Sequence, residues 1–358
     1  MRTLLLCTTL FAGVVVGCSG CGSSNASRTA PAPDLSGEGG TFPKPLYEVW
    51  VQKYALATGH RVFYRATGSS RGIDALAAGG VDFAGSEAPL TDDELVRMGD
   101  VLHIPMSVAP VAVAYNSKGV PDGLHLTPEV LAAIFLGEIK GWDDARIAAL
   151  NPGSALPPWP ISVIHRGDGS GTTNVFTSYL SEVSPAWRER VGSGKSVAWP
   201  AGVSAIGNEG VSEFLYNVPG TIGYCALSFA RAKRLKVAAI ANGAGRFTTP
   251  SLESTTAAAA SAAKRMPDDL RLGLIEGQSD DSYPITGFTY ILVQRDQEDP
   301  AKAKALTEFI RWGLHDGQSF GPFLSYARLP PEVIAKAEAK LGGVRVAAKP
   351  LPLSAAAR

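Results

Sequence analysis

Arg166, Asp168, Ser170, Gly171 and Thr172 fall within seven positions of one another in the string RGDGSGT, and Thr173 follows directly. Such residues suit the capture of a small anion. Gly167, Gly169 and Gly171 let several backbone N–H groups converge on one point, and the hydroxyls of Ser170, Thr172 and Thr173 can donate to it. Arg166 adds a planar fork matched to an oxyanion. A carboxylate inside an anion site is costly unless it is paired, so Asp168 is expected to hold the Arg166 guanidinium in place. Other motifs fail on inspection. Asp168 and Thr172, not glycines, stand two residues either side of Ser170, so this is no nucleophile elbow. No GKS or GKT follows, which excludes a P-loop, and Gly167-x-Gly169-x-x-Thr172 lacks the last glycine of a dinucleotide fingerprint.

The flanking residues decide where this turn sits. Ile161, Val163 and Ile164 alternate as in a strand, whereas Val175, Phe176, Tyr179 and Leu180 share one helical face. The turn therefore lies at a helix N-terminus, where the helix dipole adds a positive field. The same arrangement recurs upstream. GEGGTFPKP leads into a helix on Leu46, Val49, Trp50 and Tyr54 that Gly59 closes, and the strand RVFYRAT runs into Gly68-Ser69-Ser70-Arg71-Gly72 and a helix on Ile73 and Leu76. A short strand, VDFAGSE, ends at Glu87, and Thr91-x-x-Glu94 reads as a capping box. Farther on, VAPVAVAYN reads as a buried strand, Thr127-Pro128 opens a helix, PITGFTYILVQ reads as a strand, and helices follow on Leu306–Leu314 and near 330–341. The composition of 242–266, rich in Ala, Ser and Thr, suggests exposed or loosely packed chain. Alternating strands and helices predict an α/β fold with parallel sheet, in which ligands bind beyond the carboxyl ends of the strands.

Lys plus Arg and Asp plus Glu each number 33 in 358 residues, and the resulting zero net charge argues against nucleic acid as a partner. Five scattered histidines and four cysteines offer no metal spacing and no disulfide framework, so neither a metal nor a cofactor is expected. Residues 1–17 combine Arg2 with a short apolar run and read as a secretory signal. The run ends Val15-Val16-Gly17-Cys18, which resembles a lipobox and makes Cys18 the expected lipidation site. Residues 18–36 read as a flexible Gly/Ser/Pro/Ala tether.

Several unlinked strings, in order from about 37 to 340, carry a resemblance: GGTFPKPLYEVW, GSSRGI, VDFAGSEAPL, FLGEIKGWDD, HRGDGSGTTNVFTSYL, VAWPAG, GNEGV, PGTIGY and YPIT. Together they resemble the phosphate-binding protein of bacterial phosphate-specific ABC transporters. The resemblance implies a two-lobed periplasmic-binding-protein fold of type II, each lobe a mostly parallel sheet flanked by helices, with the ligand in the cleft between them. It assigns 37–107 plus 282–345 to one lobe and 108–281 to the other, joined by crossing strands near 107 and 282, with a frayed tail at 346–358. Carried over position by position, it puts phosphate between Thr41, Phe42, Ser69, Glu87, Arg166, Ser170, Gly171 and Thr172, with Asp168 paired to Arg166 and Phe42 contributing its backbone N–H. It implies no enzymatic activity and a monomer that delivers inorganic phosphate to membrane permease subunits, outside the cytoplasm and held to a membrane only through a lipid anchor.

Glu87 departs from the family, which usually has Asp at this point. A carboxylate facing a dianion repels it unless the anion has a proton to donate, as hydrogen phosphate and hydrogen arsenate do and sulfate does not. Such a contact costs the wrong anion roughly 2–5 kcal/mol. The alternatives to phosphate delivery are a binding protein for arsenate or sulfate, a phosphate sensor or scavenger without a transporter, and an ester hydrolase with Ser170 or Ser69 as nucleophile. No histidine is placed to serve either serine except His165, which the strand alternation turns away from Arg166.

Overall fold

The computed structural model describes residues 33–273, 279–346 and 349–350. The signal, most of the tether and Cys18 lie outside the described residues. Chain order runs β1 (Leu35–Gly39), α1 (Lys44–Thr58), β2 (Val62–Ala66), α2 (Ser69–Ala77), β3 (Phe83–Ser86), α3 (Asp92–Met98) and β4 (Val101–Asn116). It continues with β5 (His125–Leu126), α4 (Pro128–Phe135), α5 (Ala145–Leu150), β6 (Ser162–Arg166), α6 (Gly171–Val183), α7 (Pro185–Arg190), β7 (Val203–Ala205), α8 (Gly207–Asn217), β8 (Thr221–Ala226) and α9 (Leu227–Ala232). Next come β9 (Lys236–Val237), β10 (Ala239–Ala241), β11 (Phe247–Thr248), α10 (Leu252–Ala263), β12 (Thr286–Gln294), β13 (Asp296–Gln297), α11 (Pro300–Leu314), α12 (Pro331–Leu341), β14 (Arg345–Val346) and β15 (Lys349–Pro350).

One sheet, in the order β2-β1-β3-β12-β4-β8-β6-β7, carries both lobes. β1 pairs in parallel with β2 and β3, and β6 pairs in parallel with β7 and β8. These two trios are the expected parallel sheets, and the strands between them, β4 and β12, run antiparallel to their neighbours. β4 shows how one strand serves two lobes. Its residues 101–110 pair with β12, and 111–116 pair with β8. The changeover falls at Pro110, which has no N–H for a ladder, and every residue of β4 but Asn116 is buried, as a strand covered on both faces requires.

The helices follow their sequence signals. Gly59 ends α1 at φ 77°, a left-handed conformation that glycine adopts without strain. Thr91 and Glu94 form the expected reciprocal capping box on α3, and Thr127 caps α4. Two readings from composition need correction. The segment at 242–266 contains α10, whose Thr255, Ala258, Ala259 and Ala262 are buried, because small side chains let the helix pack closely rather than loosely. Leu35 and Ser36, assigned to the tether, begin β1, since the register with Val62 and Phe63 pairs their backbones. At the other end, β15 pairs with β14 where a frayed tail was expected. No helix among the described residues is long and apolar enough to cross a membrane.

Candidate functional site

β6 ends at Arg166, and the turn that follows delivers Ser170 as the N-cap of α6, its Oγ accepting from Thr173 N at 3.1 Å. Arg166 is buried and held on three sides. Its Nε donates to Asp168 Oδ1 at 2.7 Å, its Nη2 to Asp168 Oδ2, and its Nη1 to Thr172 Oγ1 at 3.3 Å. Tyr224 Oη accepts from Arg166 N at 3.1 Å and shares a hydrogen bond with Thr173 Oγ1. Asp168 also accepts from Gly207 N at 3.0 Å. Burial pushes the Asp168 carboxyl up, but the hydrogen bond and charge of Arg166 outweigh it and hold the group below its ordinary range. Asp168 thus stays ionised, and its two bonds together with Thr172 fix the guanidinium.

The other lobe supplies three turns. Thr41 and Phe42 lie between β1 and α1, Ser69 is the first residue of α2, and Glu87 follows β3. All four are buried. The carbonyl of Phe42 accepts from Tyr326 Oη and its ring meets that of Tyr326 edge-on, which fixes the backbone between β1 and α1. Ser69 Oγ accepts from Gly171 N at 3.0 Å and lies 3.4 Å from Glu87 Oε2. Lobe meets lobe here: a Cβ on Gly171 would stand 2.6 Å from Glu87 Oε2 and 2.7 Å from Glu87 N, so only glycine allows this approach. Ser70 N donates to Gly169 O at 3.1 Å across the same seam.

Glu87 is the electrostatic exception. It is 1% exposed, and its Oε1 has no hydrogen-bond partner. Burial, opposed by the charge of Arg166 and the Ser69 hydroxyl, pushes its pKa from the ordinary 4.5 to about 7. The site therefore offers donors on nearly every side and one acid whose proton is gained or lost near neutrality.

All nine residues named from the sequence gather at this seam. One further residue at this seam escaped that reading. Asn208, fully buried in the first turn of α8, donates from Nδ2 to Thr41 Oγ1 at 2.9 Å and to Thr172 Oγ1 at 3.1 Å. Its Oδ1 accepts from Ala226 N at 2.8 Å. The signal was present in GNEGV, where an Asn beside two glycines opens a helix. His165 stacks on Trp199 at 4.8 Å, with its Nδ1 3.1 Å from Arg166 O. Among the described residues no cluster of three or more His, Cys, Asp or Glu could hold a metal.

Comparison with known proteins agrees with this architecture. The PBP superfamily domain matches residues 24–316. The chain is 36% identical over 351 residues to the phosphate-binding protein PstS of Xylella fastidiosa (strain 9a5c), covering 94% of this chain and 95% of that protein. It is 39% identical over 318 residues to PstS of Pasteurella multocida, covering 88% and 92%. In fold, it is similar to a phosphate-bound periplasmic phosphate-binding protein, PfluDING, with a TM-score of 0.67 at 22% identity over 86% of this chain and 93% of that one. The phosphate-binding protein of Stenotrophomonas maltophilia gives a TM-score of 0.65 at 19% identity, covering 86% and 94%. With two crossing strands, two lobes and relatives well above 30% identical along nearly the whole length, the chain belongs to the PBP superfamily and, within it, to the PstS phosphate-binding proteins.

Proposed function

We propose that the protein captures inorganic phosphate outside the cytoplasm and delivers it to the permease of an ABC importer, binding without turnover. The observation that carries this reading is the pairing of a donor cradle with a single acid. Arg166, the α6 N-terminus and the hydroxyls of Thr41, Ser69, Ser170 and Thr172 suit the oxygens that carry negative charge, while Oε1 of Glu87 is left to accept a proton from the anion. The N–H of Phe42 is assigned to the same anion, as is that of Gly171, which would exchange Ser69 Oγ for it. In this reading donors replace the hydration shell, and closure of the lobes sheds water and strengthens each contact.

The lobes are assigned as 37–107 plus 282–345 and 108–281. Residues 1–17 would be removed on export, Cys18 would carry the lipid, and the tether would leave a monomer free to reach the permease with its cleft rims. The relatives named as phosphate-binding proteins support the ligand. Calorimetric titration at pH 8 with phosphate, arsenate and sulfate tests it. Tight one-to-one binding of phosphate, with sulfate at least tenfold weaker, is expected. Equal binding of sulfate would refute the role given to Glu87, and silence from all three would refute the ligand class.

A further inference from the structure

We propose that Asn208 is a positioning residue that sets the hydroxyls of Thr41 and Thr172 as hydrogen-bond donors toward the bound anion, and does so only when the two lobes are together. The inference rests on the phosphate reading of the site. A threonine hydroxyl has one proton and two lone pairs. Thr41 Oγ1 accepts from Asn208 N at 3.0 Å and from Asn208 Nδ2 at 2.9 Å, so both its lone pairs are engaged. Thr172 Oγ1 accepts from Arg166 Nη1 at 3.3 Å and from Asn208 Nδ2 at 3.1 Å, with the same result. Each hydroxyl is then left with its proton and no acceptor for it among the described residues. Both can only donate.

This assignment matters because a hydroxyl is ambivalent. Free to rotate, Thr41 or Thr172 could accept from a protonated ligand oxygen as readily as donate to a charged one, and the site would discriminate poorly between anions of different protonation. With their lone pairs occupied, neither threonine can accept a ligand proton, and the unpartnered Oε1 of Glu87 is the charged acceptor left for it among the described residues. Asn208 is suited to the task. Its Oδ1 is tied to Ala226 N, which fixes the amide orientation so that Nδ2 faces the two threonines. The residue has no exposure, so no water competes for those bonds. Thr172 shares a lobe with Asn208, whereas Thr41 comes from the other. Half of the arrangement is therefore assembled only on closure, so the donor pattern and the closed form are acquired together.

Phosphate affinity at pH 8 is to be measured for the full chain, for Asn208→Ala, and for the same change in Thr41→Val and Thr172→Val backgrounds. In the otherwise native chain Asn208→Ala is expected to weaken binding about 30-fold, the effect of losing two charge-directed donors. In either valine background the loss is expected to be at least threefold smaller, because one of the two hydroxyls it orients is already gone. Asn208→Asp keeps the oxygen that accepts from Ala226 N, and hence the fold contact, but turns the other end into an acceptor. It is expected to melt close to wild type without ligand and to bind phosphate more weakly than Asn208→Ala. A Kd within threefold of wild type for either variant overturns the proposal, as does the same loss in all three backgrounds. Failure of both variants to fold assigns Asn208 a structural role and also overturns it. Wild type that does not bind phosphate sinks the functional reading itself, whereas wild type that binds beside unaffected variants sinks only this one.

Discussion

Sulfate binding should depend on pH through Glu87. The carboxyl is buried, its Oε1 is unpaired, and its pKa stands near 7 because burial outweighs the nearby Arg166 and Ser69. Ionised, it repels an anion that has no proton to give. Protonated, it can donate to one. The apparent sulfate affinity should then scale with the protonated fraction of Glu87, rising roughly tenfold per pH unit from pH 9 toward 7 and levelling below about pH 6. Across pH 9 to 5 that is a gain of about 100-fold. Asp168, the other carboxylate whose charge acts on Glu87, keeps its charge over this range, since it is held below its ordinary value. Titration calorimetry with sulfate at four pH values reads the slope, and Glu87→Gln, which always has a proton to donate, should abolish it while admitting sulfate throughout. A wild-type sulfate affinity equal at pH 5 and pH 9 would refute the reasoning.

The same group predicts a stability profile in the absence of ligand. Because the folded pKa lies above the unfolded 4.5, the contribution of Glu87 to stability is fully present below about pH 4.5 and is lost as pH rises through 7. The loss amounts to about 3 kcal/mol. Glu87→Gln should therefore raise the melting temperature of the ligand-free protein by roughly 5 °C at pH 8 and by little near pH 4.5. In the proposed reading, selectivity at Glu87 carries a stability cost that a neutral residue would avoid.

Three further outcomes follow from distances. Gly171→Ala would place a methyl 2.7 Å from the backbone nitrogen of Glu87, so the lobes could not come together; phosphate affinity should fall at least 100-fold while the far-ultraviolet circular dichroism stays native, and an unchanged Kd would show the seam to be looser than drawn. Lys195 Nζ reaches Glu94 Oε1 and Oε2 at 2.7 Å from the opposite lobe, with 13% and 17% of the side chains exposed, so Lys195→Met should speed phosphate release several-fold in stopped flow, and an unaltered off-rate would refute a role in holding the lobes. Thr91→Ala breaks the capping box of α3 and should lower stability by about 1 kcal/mol in chemical denaturation without touching affinity.

Much of this was legible from local chemistry. The turn at 166–173 reads as an anion site because its donors lie within one turn of backbone, and the elements around it follow from period and capping. What the sequence left open is long-range. Composition alone assigned α10 to loose chain because alanine carries no signal of burial, and it assigned Leu35 to the tether because strand pairing with β2 is decided by a partner 27 residues away. The antiparallel course of β4 and β12 was likewise hidden, since a buried strand reads the same in either direction.

Asn208 marks the deeper reason why sites of this kind are only half visible. A residue that touches the anion must carry donors or charge, and those types stand out at a glycine-rich turn. A residue that decides which way a neighbour's proton points needs only an amide, and an amide at a helix start has a dozen ordinary explanations. Its role appears when Thr41, 167 positions earlier, and Thr172, 36 positions earlier, are found on the same nitrogen. If the proposal holds, the specificity of the cradle is a property of lone pairs rather than of residue types: four accepted bonds on two hydroxyls turn ambivalent groups into fixed donors, and one unpaired oxygen on Glu87 is left to test whether the anion has a proton.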